Sequence, residues 1–170
     1  MRDGGIRGVV VHPCGGDFDK IEVDGNEITA GVGAKLKEVA YAAQGGWILA
    51  DWSGWRAFPG AVGGGLRMNA GAMGAQTFEN VVRVRYLDAE GNPHTKIADE
   101  LEVHYRNFPL LENNFAVSAV ISRAACASAK KSIARWQRIA GETPHHRSQI
   151  AKSAGCIFKN PQTLSSGKTG

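Results

Sequence analysis

Phe58-Pro59-Gly60-Ala61-Val62-Gly63-Gly64-Gly65-Leu66-Arg67-Met68-Asn69-Ala70-Gly71-Ala72-Met73-Gly74 holds six of the 22 glycines in the chain. At that density backbone N–H groups stand free of Cβ atoms, and a pyrophosphate or a flat ring system can lie directly against the main chain. Composition leaves a plainer alternative open, a glycine-rich turn or a crossing where two elements pack closely. The familiar nucleotide cradles do not fit. Gly31-Val32-Gly33 lacks the third glycine of the dinucleotide fingerprint, and Gly167-Lys168-Thr169 has Gln162 where a P-loop needs its first glycine.

Upstream of this stretch, Val9-Val10-Val11 predicts a buried strand. Lys20 to Val23, Asp24-Gly25-Asn26 and Glu27 to Ala30 predict a β-hairpin whose turn residues tolerate positive φ. From Ala34 to Gln44, Leu36, Val39, Ala40 and Ala43 recur at helical spacing, and Gly45-Gly46 supplies a stop. Downstream, Val81 to Leu87 alternates, Asp88 to Asn92 turns the chain, and Phe115 to Ile121 forms another strand. The class is α+β, with the β structure predominantly antiparallel. Ser128 to Ala140 is basic, with Ile133, Trp136 and Ile139 or Ala140 on one face and Gly141 and Pro144 ending it, which predicts a connecting helix. His145 to Lys152 is polar linker, and Ser153 begins a new element.

The 170 residues, 43% hydrophobic and 21% charged, suit an ordinary soluble protein of one or two domains. A net charge of +4, spread along the chain, implies no nucleic-acid partner and leaves a small anionic ligand open. Cys14, Cys126 and Cys156 have no paired spacing, so a reducing, cytoplasmic setting is expected. The apolar run Ile6 to Val11 is too short for a signal sequence, and no membrane association is expected. His145-His146 and His12-Pro13-Cys14 lack metal-ligand spacing, so no metal is expected. Ser128-Ala129-Lys130-Lys131 and Lys168-Thr169-Gly170 match short patterns of penicillin-binding enzymes by chance, because no Ser-Asp-Asn accompanies them.

Four segments, in order, resemble one family. Pro59 to Gly64 continuing through Met68 to Gly74 resembles the flavin-binding segment of the UDP-N-acetylenolpyruvoylglucosamine reductases. Arg2-Asp3-Gly4-Gly5-Ile6-Arg7-Gly8 resembles the sequence after that family's first flavin loop, His104-Tyr105-Arg106 its Tyr-Arg motif, and Ser153 to Pro161 its catalytic segment. The resemblance implies an FAD-binding domain of the vanillyl-alcohol-oxidase (PCMH) type over residues 1–125, without its N-terminal flavin loop. It further implies a linker helix and loop over 126–152, and over 153–170 the start of a truncated C-terminal substrate-binding domain. By the same resemblance Pro59, Gly60, Gly63, Gly64, Asn69, Ala70 and Gly71 line the FAD site.

The implied reaction is NADPH-driven, FAD-dependent reduction of UDP-N-acetylglucosamine enolpyruvate to UDP-N-acetylmuramate, an oxidoreductase step of peptidoglycan synthesis and cell-wall biogenesis. Arg106 is expected to hold the enolpyruvyl carboxylate, since a guanidinium pairs bidentately with carboxylates and keeps its proton. On charge alone a surface ion pair is the favoured reading, and the Tyr105-Arg106 context reverses it. Cys156 takes the place of the family's proton donor, and a thiol is acidic enough for that role. Cys14 and Cys126 read as small hydrophobes. Tyr105, Lys159 and Asn160 are the expected substrate contacts, although Tyr105 also suits packing and Lys159 solvent. The resemblance implies a monomer when complete. It also implies that the glutamate of the family's active site lies outside these residues, so this chain alone is expected to be inactive. A non-catalytic FAD-binding fragment or a related flavin-dependent oxidase is the alternative.

Overall fold

The computed structural model of the chain describes residues 4–44, 60–72 and 75–122. The Gly45-Gly46 stop, the helix expected over Ser128 to Ala140, the linker and the segment from Ser153 lie outside the described residues.

The predicted hairpin forms. Strands β1 (Ile21–Asp24) and β2 (Glu27–Gly31) pair antiparallel with Asp24 opposite Glu27. Gly25 takes the turn at φ 52°, a left-handed backbone that a two-residue connection favours and that glycine adopts without a Cβ clash. The predicted helix also forms, as α1 (Leu36–Gln44), with Leu36, Val39, Ala40 and Ala43 all buried.

The glycine-rich centre folds into a short helix, α2 (Val62–Arg67), followed by a small hairpin of β3 (Gly71–Ala72) and β4 (Ala75–Gln76). Two further strands, β5 (Val81–Leu87) and β6 (Pro93–Ile97), lead to β7 (Phe115–Ser122). The main sheet runs in the order β1-β2-β7-β5-β6, and each of its pairings is antiparallel. Its middle strand β7 buries Ser118, Ala119, Val120 and Ile121 in succession, so both of its faces are covered. That is why it reads as a continuous apolar run rather than an alternation. Ile28 and Ala30 of β2, Val81 and Val84 of β5, and the apolar face of α1 join Val62 and Leu66 of α2 in one core.

At the sheet edge Asp88 organises the β5–β6 turn. Its carboxylate accepts from the backbone N–H of Glu90 at 3.1 Å and of Asn92 at 2.7 Å, and lies 2.7 Å from His94 Nε2. The His94 contact, followed by the Asn92 N–H, holds the Asp88 carboxyl down at about 2.

The expected strand at Val9-Val10-Val11 does not form. Those residues have no regular structure and are 91%, 72% and 67% exposed. β-branched residues favour a strand only where a neighbour supplies backbone partners and cover. No described strand pairs with them.

α2 crosses β2 and α1 at close range. A Cβ on Gly63 would stand 3.1 Å from Val32 Cβ and 3.3 Å from the Val32 carbonyl oxygen, and one on Gly65 would stand 3.2 Å from Leu36 Cδ2. Gly63 N–H donates to Val32 O at 2.8 Å, and Val62 N–H to Ala34 O at 2.9 Å. The close-packing alternative therefore accounts for these two glycines. Gly63→Val is expected to cost about 1–3 kcal/mol, the usual range for overpacking, since backbone oxygen cannot yield as a side chain can. Urea denaturation measures it, and a midpoint equal to wild type would contradict the crossing.

Candidate functional site

The end of α2 and the small β3–β4 hairpin face the turn that carries Tyr105 and Arg106. His104 and Asn107 close this turn with reciprocal backbone bonds, His104 N–H to Asn107 O at 3.0 Å and Asn107 N–H to His104 O at 3.2 Å. Arg106 sits at φ 57°. A left-handed backbone costs a non-glycine residue roughly 1–2 kcal/mol, so the surroundings must hold it there.

The side chain of Arg106 reaches the glycine-rich segment. Nη1 donates to Asn69 O at 3.0 Å and Nη2 to Gly71 O at 2.7 Å. The Tyr105 ring centroid lies 4.8 Å from the guanidinium carbon, and Tyr105 is itself exposed. The surface ion pair considered for Arg106 is not what is seen. Among the described residues its partners are neutral carbonyls, so its charge is fixed in place without being cancelled. An arginine held in this way suits an anionic ligand, because its remaining N–H groups are aimed without further loss of side-chain entropy.

Asn69, at φ 38° and 4% exposed, is the buried anchor beneath. Its Nδ2 donates to Gln76 Oε1 at 2.8 Å and to His104 O at 3.2 Å, and its Oδ1 accepts from Phe78 N–H at 3.4 Å. Ala70 N–H donates to Gly65 O at 2.8 Å, while Ala70 O accepts from both N–H and Oγ1 of buried Thr77. These amide and carbonyl groups serve the protein, so Asn69 and Ala70 shape the floor of the site.

Gly60 and Gly64 are different. Both are exposed; a Cβ on Gly64 would meet nothing within 4 Å, and one on Gly60 only Leu36 Cδ1 at 4.0 Å. This bare backbone, just before α2 at Gly60 and within it at Gly64, is open to solvent and leaves room for a flat ring or a pyrophosphate against the main chain. The missing Cβ of Gly63, by contrast, faces Val32. Pro59, Cys156, Lys159 and Asn160 lie outside the described residues. Thus Asn69, Ala70, Gly71, Tyr105 and Arg106 converge at the end of α2, while Gly64 lies within that helix and Gly60 just before it. Sequence reasoning missed the residues that brace them, Arg67, Gln76, Thr77 and Asn107.

Comparison with known proteins identifies the family. A profile of the FAD binding domain family matches residues 2–95. The UDP-N-acetylenolpyruvoylglucosamine reductase of Cereibacter sphaeroides is 34% identical over 167 residues, which is 98% of this chain and 53% of that protein. The reductase of the same name from Paracoccus denitrificans is 35% identical over 166 residues, again 98% of this chain and 53% of the relative. The crystal structure of UDP-N-acetylenolpyruvylglucosamine reductase from Thermus caldophilus superposes with a TM-score of 0.72 at 25% identity, covering 91% of this chain and 55% of that one. The chain spans about half the length of the curated relatives it matches.

Proposed function

We propose, from the premise that this chain belongs to the FAD binding domain family, that it forms the flavin-binding part of an NADPH-driven reductase of UDP-N-acetylglucosamine enolpyruvate. The observation that carries the reading is the fixed, uncancelled guanidinium of Arg106, held on the carbonyls of Asn69 and Gly71 in the same glycine-rich segment that leaves the backbone of Gly60 and Gly64 bare. The similarity to reductases of that name supports the substrate. FAD-binding residues 1–125, a linker over 126–152 and the start of a substrate domain over 153–170 are the proposed division. Among the described residues no helix is long and apolar enough to cross a membrane. A cytoplasmic monomer is the proposed working form, and catalysis by it requires the part of the relatives' length that these residues do not span.

Bound FAD would supply the hydride transfer from NADPH to the terminal carbon of the enolpyruvyl double bond. The residues of the chain then have separate tasks. Gly60 and Gly64, with the adjoining Pro59, offer main chain to the cofactor, Gly63 seats α2 against Val32 beneath them, and Asn69, Ala70 and Gly71 set its floor. Negative charge develops on the carbon next to the substrate carboxylate. Arg106 binds that carboxylate and stabilises the enolate through its fork of N–H groups. Cys156 delivers a proton to the same carbon, and Lys159 and Asn160 hold the substrate.

Protein purified from the whole reading frame is expected to be yellow. Gly64→Leu is expected to lower its FAD content without lowering its melting temperature, because the new side chain enters open space rather than the core. A colourless wild-type protein, or unchanged flavin content in Gly64→Leu, would overturn the placement of the cofactor.

A further inference from the structure

Arg67, inside the glycine-rich segment, and Asn107, just after the Tyr-Arg motif, lie 40 residues apart and were assigned no contact with cofactor or substrate, yet they meet. Arg67, the last residue of α2, donates from Nη1 to Asn107 Oδ1 at 2.7 Å, and its Nη2 lies 3.5 Å from Glu112 Oε1. Asn107 is the residue that closes the Tyr105–Arg106 turn. The other foot of the same turn, His104, is held by Asn69 Nδ2 on its carbonyl oxygen. Both feet are therefore tied to the chain at the end of α2, within two residues of each other. Among the described residues Asn69 and Arg106 are also the two non-glycine residues with positive φ, and they touch through Arg106 Nη1 and Asn69 O. Strained backbone persists where its surroundings over-determine it. Here the surroundings are these two ties.

We propose that Arg67 and Asn107 are positioning residues, which set the Tyr105–Arg106 turn on the end of α2 and so aim the Arg106 guanidinium at the substrate carboxylate. This inference rests on the reductase reading and deepens it. The Asn69 tie holds the turn at His104, Arg106 itself bonds to Asn69 O and Gly71 O, and the Arg67 tie adds a side-chain restraint at the second foot, with Glu112 beside the other half of the Arg67 fork. A misplacement of a binding group by about 1 Å is enough to cost about 10²-fold in rate, so a bond of modest strength at a hinge has a large effect on the aimed group.

The Arg67–Glu112 ion pair is exposed, at 39% and 51%, and the Arg67–Asn107 bond is only part-buried, so the expected effect of losing either on global stability is small. That separates positioning from simple support. In FAD-loaded protein from the whole reading frame, Arg67→Met and Asn107→Ala are each expected to weaken binding of the enolpyruvyl sugar nucleotide about tenfold or more, read as the perturbation of flavin absorbance on titration. The kcat/KM for that substrate falls by about 10–100-fold, while flavin content, reduction by NADPH without the sugar nucleotide and melting temperature stay at wild-type values. The double variant is no worse than the poorer single one, since both remove the same tie. Asn107→Asp retains binding, because a carboxylate still accepts from Arg67. Wild-type affinity and turnover in Arg67→Met, or a loss shared equally with flavin content and melting temperature, would overturn the assignment. A yellow wild-type protein whose flavin spectrum ignores the sugar nucleotide would overturn the reductase reading itself, and this inference with it.

Discussion

Cys156→Ala slows product formation by about 10²–10⁴-fold, the range for loss of a general acid, while reduction of the flavin by NADPH proceeds at the wild-type rate. Cys156→Ser retains activity. The asymmetry follows from the order of events, because a proton is required only once the enolpyruvyl carbon has gained electron density. The proposed role rests on the resemblance of Ser153 to Pro161 to a catalytic segment. A thiol in that place needs only to stay protonated at neutral pH, as one of pKa about 8.5 does. Stopped-flow absorbance separates the two half-reactions, and an alanine variant with unchanged product formation removes Cys156 from the mechanism.

Phe108→Ala destabilises the protein by about 3–5 kcal/mol, the range for deleting a buried aromatic side chain. Phe108 is fully buried, and its ring lies 4.5 Å from that of Phe78 at an interplanar angle of 55°. The tilted contact adds to the area that both rings bury. Its position extends the effect to the site. Phe108 follows Asn107 in the Tyr-Arg turn, and Phe78 donates its backbone N–H to the Asn69 side chain, so this pair of rings joins the turn to the floor beneath it. Urea denaturation should show the loss as a lower midpoint with an unchanged slope, with Phe108→Leu losing less. A midpoint near wild type would place Phe108 outside the core.

The elements that were legible in the sequence are those whose side chains alternate or recur against a covered face. Leu36, Val39, Ala40 and Ala43 mark one stripe of α1, and Asp24-Gly25-Asn26 marks a turn that local backbone preference nearly decides by itself. α2 was hidden. Val62, Gly65 and Leu66 do have the i, i+3, i+4 spacing of a buried face, but glycine costs a helix about 1 kcal/mol relative to alanine, and three in succession mask the pattern. Tertiary packing against Val32 and Leu36 outweighs that cost, and close approach is what the glycines permit. Val9 to Val11 misled in the opposite sense, because strong strand preference there finds no described partner.

Arg106 and its tyrosine neighbour were singled out through family resemblance, and the related reductases support the family, while the roles of these two residues stay proposals. The partners that hold Arg106 were not legible. They are the carbonyl oxygens of Asn69 and Gly71, which every residue type carries, so no side-chain pattern announces them. The tie from Arg67 to Asn107 was hidden for a related reason. It forms between an ordinary helix arginine and an ordinary turn asparagine that only the fold brings together.

The most direct test of the account is NADPH oxidation by the FAD-loaded protein from the whole reading frame, followed with and without UDP-N-acetylglucosamine enolpyruvate. The account predicts sustained oxidation only when the enolpyruvyl sugar nucleotide is present, with its double bond reduced in the product. Oxidation indifferent to that compound, or oxygen-dependent turnover of an alcohol in its place, would contradict it.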